Sequence, residues 1–499
     1  MEIPEFVLLG LKVGLQPLNV LFCFIGVLVG TLVGVLPGLG PAAAIALLLP
    51  ATFHLTPVTA IIMLSGIYYG AMYGGSTTSI LVNIPGESAS VVTCIDGYQM
   101  ARQGRAGPAL GIAAFGSFIA GTVGVAILMF IAPPVANIVL KFGPPEYFAL
   151  MTLGMSLIIY LTEESKIKAL AMGCFGLILS FIGIDVLTGQ PRFNFGWMEL
   201  AEGVGMVPLM VGVFGISEVL INIEHMVSQD IYEAKIKGLL PTFRDWMDSK
   251  GAIIRGTLVG FFLGLLPGGG AIIASFVSYT IEKKLSKHPE KFGTGAIEGV
   301  AGPECANNSA TAGAFVPLFI LGIPTNAVMA MLFSALLIHG MQPGPLVLKE
   351  HPEVFWGTVT SMYLGNVMLL VLNLPLIGIW VRILKVPYPI LFPLILLFCM
   401  IGSYSINSSV IDVIVMLIFG ALGYVMRKVR YEAVPLVLAF ILGPMLERAF
   451  IQSLQMSGGS YSIFFTRPVS AITIIIVILL ALSSFIPILK RRLEAMKHE

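Results

Sequence analysis

The sequence predicts an all-α polytopic membrane protein of about 11–12 transmembrane helices, built as two inverted-topology repeats that each carry re-entrant or broken helical hairpins. Three observations predict it. The 499-residue chain is 57% hydrophobic and 11% charged, with a mean hydropathy of +0.94, whereas a soluble domain carries about 25% charged residues. Runs such as 109–131, 355–381 and 471–489 can cross a hydrocarbon core of about 30 Å as helices, and they do not alternate as barrel strands would. A glycine-proline phrase occurs twice inside apolar sequence: Gly-Val-Leu-Pro-Gly-Leu-Gly at 34–40 and Gly-Leu-Leu-Pro-Gly-Gly-Gly at 264–270.

The repeat extends beyond that phrase. Pro37 recurs as Pro267, 230 residues on, and Ile84-Pro85 as Ile323-Pro324, 239 residues on. Gly107-Pro108 recurs as Gly344-Pro345 at an offset of 237. Ile184-Asp185-Val186 and Val207-Pro208-Leu209 recur at an offset of 227. Single dipeptides match by chance in a Gly/Pro-rich chain; five ordered matches at similar offsets read as duplication. The chain then divides into an interfacial segment at 1–16, a first repeat at 17–226, a linker at 227–250, a second repeat at 251–452, and a final helix with its tail at 453–499.

Loop charge orients the copies, because cytoplasmic loops collect Lys and Arg. The C-terminus carries Lys490, Arg491, Arg492 and Lys497 and is placed inside, as are Arg427, Lys428 and Arg430 and the lysines of 283–291. In the first half the basic loops are different ones: Arg102 with Arg105, and Lys166 with Lys168. The loop 51–57, partner of the Lys283 loop, has no Lys or Arg. This requires opposite topologies for the two halves, an outside N-terminus and a cytoplasmic linker. The net charge of +1 says nothing about partners, and the absence of a basic face or aromatic-basic stripe argues against nucleic acid. The five scattered cysteines read as small hydrophobes, and the acidic start at Glu2 and Glu5 is unlike a signal peptide.

The breaks are the first candidate site. Pro37 and Pro267 end a helical ladder, and Gly38, Gly40, Gly268, Gly269 and Gly270 permit tight turns and close backbone approach. A helix restarting after each break presents free N–H groups and partial positive charge, which suits an anion. The bland alternative is that Gly and Pro only serve packing and kinks. The second pair of candidates is polar. Residues 69–87 contain Ser76, Thr77, Thr78, Ser79 and Asn83 and end at Pro85, Gly86 and Glu87; residues 304–326 run from Glu304 through Asn307, Asn308, Ser309 and Thr311 to Pro324, Thr325 and Asn326. Hydroxyl, amide and freed carbonyl oxygens suit Na⁺, while hydroxyls, amides and N–H groups suit a carboxylate. Ser79, Glu87, Glu304 and Thr311 are the candidates for a Na⁺ or proton-coupling site, since acids inside a membrane are costly and functional by default. Asp96, Asp185 and Asp412 read as caps or interfacial groups, and Glu447-Arg448 as a local pair. No Arg or Lys stands out inside the membrane as a counter-ion for an anion. Nucleophile–base and ATP-binding motifs are absent, so the chain is read as no enzyme, with no cofactor beyond a coupling ion.

The segments 30–50 and 69–110 resemble the large permease subunit, TctA, of the tripartite tricarboxylate transporter family. The likeness rests on Gly-Thr-Leu-Val-Gly-Val-Leu-Pro-Gly-Leu-Gly-Pro at 30–41, on Tyr-Gly-Gly-Ser-Thr-Thr-Ser-Ile-Leu-Val-Asn-Ile-Pro-Gly-Glu at 73–87, and on 96–110, 188–196 and 265–270. The resemblance implies a secondary transporter of the bacterial inner membrane. It also implies a small TctB-like membrane subunit, a TctC-like periplasmic solute-binding protein, and import of a carboxylate such as citrate coupled to Na⁺ or H⁺. Joined to the duplicated breaks, this predicts one carboxylate site where hairpins and Ile-Pro segments meet, with elevator-type motion. A passive organic-anion channel on the same fold is the alternative.

Overall fold

The computed structural model describes residues 3–36, 40–162, 165–185, 189–196, 200–201, 203–224, 238–268, 270–383 and 388–495. Nearly all of them are helical, and the one sheet among them is a two-residue antiparallel ladder, Gly183–Ile184 with Pro191–Arg192. Among the described residues, seven helices are long and apolar enough to span a membrane, with shorter apolar helices such as Ala327–Ile338 beside them. The chain is therefore an all-α polytopic membrane protein.

Two central helices carry polar residues and are buried along nearly their whole length. Pro57–Val82 carries Ser76–Ser79 and Glu298–Val316 carries Glu304, Asn307 and Asn308, and almost every residue of both is buried. Lipid cannot satisfy such groups, so other helices must surround them. The close packing comes from glycine stripes. In Pro17–Val35, a Cβ on Gly26, Gly30 or Gly34 would collide with the main chain of Met63, Ile67 or Ala71 in Pro57–Val82. In Phe243–Gly264, Gly256, Gly260 and Gly264 meet the main chain of Gly302, Ala306 and Ala310 in the same way. The glycines recur 230 residues on and their partners 239 residues on, the offsets found in the sequence. Small residues at such spacing let backbones approach where lipid provides no hydrophobic drive.

The two halves interlock. Glu298–Val316 packs on Ala106–Val139, and Pro57–Val82 packs on Pro352–Asn373. Lys166–Ser180 packs on Ala433–Met456, and Val410–Lys428 packs on the middle of Met206–Glu224. At the ends of the chain, Ile3–Gly14 runs along Pro352–Asn373 with Phe6 stacked on Trp356 at 5.5 Å, and Pro468–Ala495 covers Pro144–Leu161.

Local sequence differs from the structure at two places. Phe243–Gly264 starts inside the stretch read as linker, because Thr242 and Asp245 form a capping box there, and Arg105 binds Asp245 at 2.6 Å. Glu447 does not pair with Arg448: it takes both arms of Arg192, at 2.7 and 3.0 Å, across the bundle. Neighbours in a helix diverge by about 100°, so adjacency in sequence is a poor guide to pairing.

Candidate functional site

Four helices that each follow a break in the chain begin on one cavity, which the start of Ala433–Met456 also borders through Glu432 and Val434. The first, Pro41–Leu48, starts with Pro41 after Gly40, whose backbone is extended. The second, Gly270–Leu285, follows Gly268, which has a φ of +104°. The Gly268 N–H donates to the carbonyl of Thr325 at 2.8 Å, tying this break to the Ile-Pro segment of the same half. For the third, Pro57–Val82 ends on Asn83 in the left-handed conformation (φ 61°). The chain then runs through Pro85 and Gly86 to Glu87, whose carboxylate accepts the Ala89 N–H at 2.7 Å and caps the turn leading to Val91–Met100. The fourth follows Gly322, also left-handed (φ 67°): Asn326 caps Ala327–Ile338 by accepting the Met329 N–H at 2.9 Å. Asn83 and Gly322, like Glu87 and Asn326, lie 239 residues apart, so the paired segments share both their turn and their cap.

The cavity encloses about 590 Å³, within the range of small-ligand sites. Gly40–Ala43, Pro85–Ala89, Gly268 with Gly270–Ile273, and Asn326–Val328 line it, together with Tyr68 and Met72. Ile158, Leu161, Phe214, Glu218, Arg427, Glu432 and Val434 supply the remaining wall. Each helix start contributes unpaired N–H groups and about half a positive charge at most. Asn326 also donates to the Tyr68 hydroxyl at 3.1 Å. Glu87 Oε1 is buried and has no hydrogen-bond partner among the described residues. The wall also carries a cation, Arg427, paired with Glu218. Two smaller recesses, of about 300 and 370 Å³, share Gln342, Met445 and Arg448 and touch none of the four helix starts.

Of the residues singled out by sequence, Gly40, Pro85, Gly86, Glu87, Gly268, Gly270 and Asn326 line the cavity. Pro37, Gly38 and Gly269 lie outside the described residues. Asn83 is exposed and only caps its helix. Pro324 and Thr325 are buried next to the cavity without lining it. The hydroxyls and amides form a buried network behind the wall. Ser76 donates to Glu304 Oε2 at 2.6 Å, and Thr93 donates to Glu304 Oε1. Asn308 Nδ2 donates to Ser117 Oγ at 2.8 Å and to the Glu304 carbonyl at 3.0 Å. Thr311 donates to the Asn307 carbonyl at 3.0 Å, Thr78 to the Val35 carbonyl at 2.6 Å, and Ser79 to Ser90 at 2.9 Å. Thr77 borders a void of about 10 Å³ beside Ser76 and Ser117. Ser309 Oγ is buried without a partner among the described residues. This network joins Pro57–Val82, Val91–Met100, Ala106–Val139 and Glu298–Val316.

Sequence reasoning missed Tyr68, Phe214 and Arg427 on the cavity wall. Tyr68 and Phe214 sit in apolar runs with nothing local to mark them. Arg427 was counted with a basic loop, yet it is in the last turn of Val410–Lys428 and reaches the cavity. Asp96, read as a cap, is a buried anchor: it accepts the N–H groups of Gly293, Gly295 and Ala296 at 2.8–2.9 Å and the Tyr279 hydroxyl at 2.9 Å.

The Gly40 position gives a clean probe. Its φ is −71° and no atom lies within 4 Å of a Cβ built on it. Gly40→Ala is expected to fold as the parent does, with an unchanged melting temperature in detergent. A drop of more than about 5 °C, which for a large chain means several kcal/mol, would show that the break tolerates no side chain.

A multi-pass helical membrane protein with broken helices converging on one internal cavity has the architecture of a membrane transporter. The comparisons narrow the class. A family model described as "Tripartite tricarboxylate transporter TctA family" matches residues 20–438, and the chain belongs to that family, which is one of transporters and not of enzymes. A protein of Agrobacterium vitis described as "Uncharacterized 52.8 kDa protein in TAR-I ttuC' 3'region" is 50% identical over 463 residues, covering 93% of this chain and 92% of its own. A second from the same organism, "Uncharacterized protein in TAR-II ttuC' 3'region", is 50% identical over 212 residues, 42% of this chain and 88% of its own. No solved structure matches.

Proposed function

We propose that the chain is the permease of a secondary active transporter that imports a tricarboxylate or another small carboxylate across the bacterial inner membrane. The observation that carries this reading is the convergence on one cavity of four helix N-termini that follow chain breaks, two from each half. Helix starts bind carboxylates through backbone N–H groups without requiring a buried lysine for each charge. A periplasmic solute-binding protein of the TctC type delivers the substrate, and a small TctB-like subunit completes the assembly; family membership supports both. By the positive-inside rule, Arg427, Lys428 and Arg430 support a cytoplasmic position for the cavity-side loop; in this reading the cavity opens inward and the N-terminus is periplasmic. The broken segments move, elevator-style, against a scaffold that includes Met206–Glu224 and Val410–Lys428.

A Na⁺ or H⁺ gradient drives uptake, and Glu87 is the coupling group. It is the acid at a broken segment whose carboxylate has a free oxygen in the cavity wall, while its counterpart in the other half is the neutral Asn326. Glu304, Ser79 and Thr311 form the polar support behind it. The test is accumulation of labelled citrate in proteoliposomes containing the chain and both partners, with and without Na⁺ and across a pH gradient. Ion-dependent accumulation against the citrate gradient is expected; equilibration without accumulation would identify a channel. Glu87→Gln keeps the capping oxygen and removes the charge, so accumulation should fall to equilibration while citrate exchange persists. Unchanged accumulation would remove Glu87 from coupling.

A further inference from the structure

We propose that Arg427 is a ligand for a substrate carboxylate and that Glu218 occupies it when the cavity is empty. The proposal rests on the reading of the cavity as a carboxylate site. Arg427 is the one Lys or Arg among the described cavity-lining residues, beside three acids, Glu87, Glu218 and Glu432. Its side chain is 37% exposed, against 14% for Glu218, so the pair is open to the cavity on the arginine's side. An arginine has five donors in a planar fork and can exchange one carboxylate for another without losing its charge-assisted geometry.

The pair is not the sole contact between its two helices. One residue on, Lys428 binds Glu224 at 2.7 Å, and Tyr424 donates to the same carboxylate at 2.8 Å. Those contacts already fasten the last turn of Val410–Lys428 to the end of Met206–Glu224. Glu218 is steadied from its own helix by Asn222, whose side-chain amide donates to the Glu218 carbonyl at 3.0 Å and reaches its carboxylate at 3.5 Å. The Arg427–Glu218 pair is thus a second, cavity-facing ion pair beside an exposed one.

Arg427 also lies on a helix that carries no break, whereas the N–H donors of the four breaks lie on the broken segments. A substrate with one carboxylate can satisfy one set; a substrate with two or three can satisfy both. Arg427 therefore sets the preference for polycarboxylates, and Glu218 weakens binding by competing for it. The two members of the ion pair then have opposite effects on affinity, which a merely structural bridge does not produce.

The experiment is calorimetric titration of the purified full-length chain with citrate, succinate and butyrate. Arg427→Ala should weaken citrate and succinate by about tenfold or more and leave butyrate near its parental affinity, erasing the preference. Glu218→Gln should tighten citrate and succinate several-fold, and Arg427→Lys should fall between Arg427→Ala and the parent. Should Arg427→Ala fail to fold, Glu218→Gln still decides, because tightening is the opposite of what lost structure gives. Weakening by both variants alike, or no change in either, overturns the role of Arg427 while leaving the cavity a carboxylate site. Failure of the parent to bind any of the three overturns the cavity reading and this inference with it.

Discussion

Asp96→Ala should destabilise the protein by on the order of 3–5 kcal/mol and leave little folded material. The Asp96 carboxylate is fully buried and accepts three main-chain N–H groups, from Gly293, Gly295 and Ala296, besides the Tyr279 hydroxyl. Alanine would strand four donors where water cannot reach all of them, and each buried orphan costs about 1–3 kcal/mol. The contact also joins the halves: Asp96 is on Val91–Met100, and the loop it holds leads into Glu298–Val316. Asp96→Asn keeps one acceptor oxygen and should lose less. Thermal unfolding in detergent, with the yield of monodisperse protein, measures both. A melting temperature for Asp96→Ala within about 2 °C of the parent would show that the carboxylate is not an anchor.

Gly260→Leu should be as damaging, by a different route. A Cβ at Gly260 would lie against the main chain of Ala306, and neither backbone can yield without parting Phe243–Gly264 from Glu298–Val316. Overpacking a core costs about 1–3 kcal/mol when side chains can adjust and more when backbone must move. Separating this pair would also expose the polar face of Glu298–Val316 to lipid. The matched change Gly30→Leu, against the Ile67 main chain, should behave alike. Gly378→Ala, with open space at its Cβ, is the control and should be silent. Size-exclusion profiles of fluorescently tagged variants separate these outcomes; a normal peak for Gly260→Leu would mean that the close helix contact is dispensable.

Much of the fold was legible because its causes are local. Long apolar runs declare spanning helices, and Pro-Gly and Ile-Pro interruptions declare where those helices break. The order of breaks, repeated at offsets of 230 and 239, also foretold which segments would share a shape: the structure gives Asn83 and Gly322 the same left-handed turn and makes Glu87 and Asn326 both helix caps. The segments that line the cavity were therefore found by sequence, through their main-chain chemistry.

The polar side chains were harder. Ser76, Thr77, Thr78 and Ser79 cover every face of one helical turn, so sequence alone required some of them to avoid lipid. It could not say whether they met a cavity or another helix. The structure sends Ser76 to Glu304, Thr78 to the Val35 carbonyl and Ser79 to Ser90, so the polar stretch builds the wall that positions the cavity. Arg427 and Glu218 are 209 residues apart, from 427 − 218, and nothing near either names the other.

By itself the sequence determined the membrane setting, the family, the duplicated breaks and the backbone donors at their helix starts, because each follows from residues within a turn or two of one another. The tertiary structure decided which side chains face the cavity, which satisfy one another behind it, and that one arginine reaches it. Those choices depend on which helix lies across from which. In this helix bundle, that is set in large part by glycine-to-backbone contacts between segments tens to hundreds of residues apart.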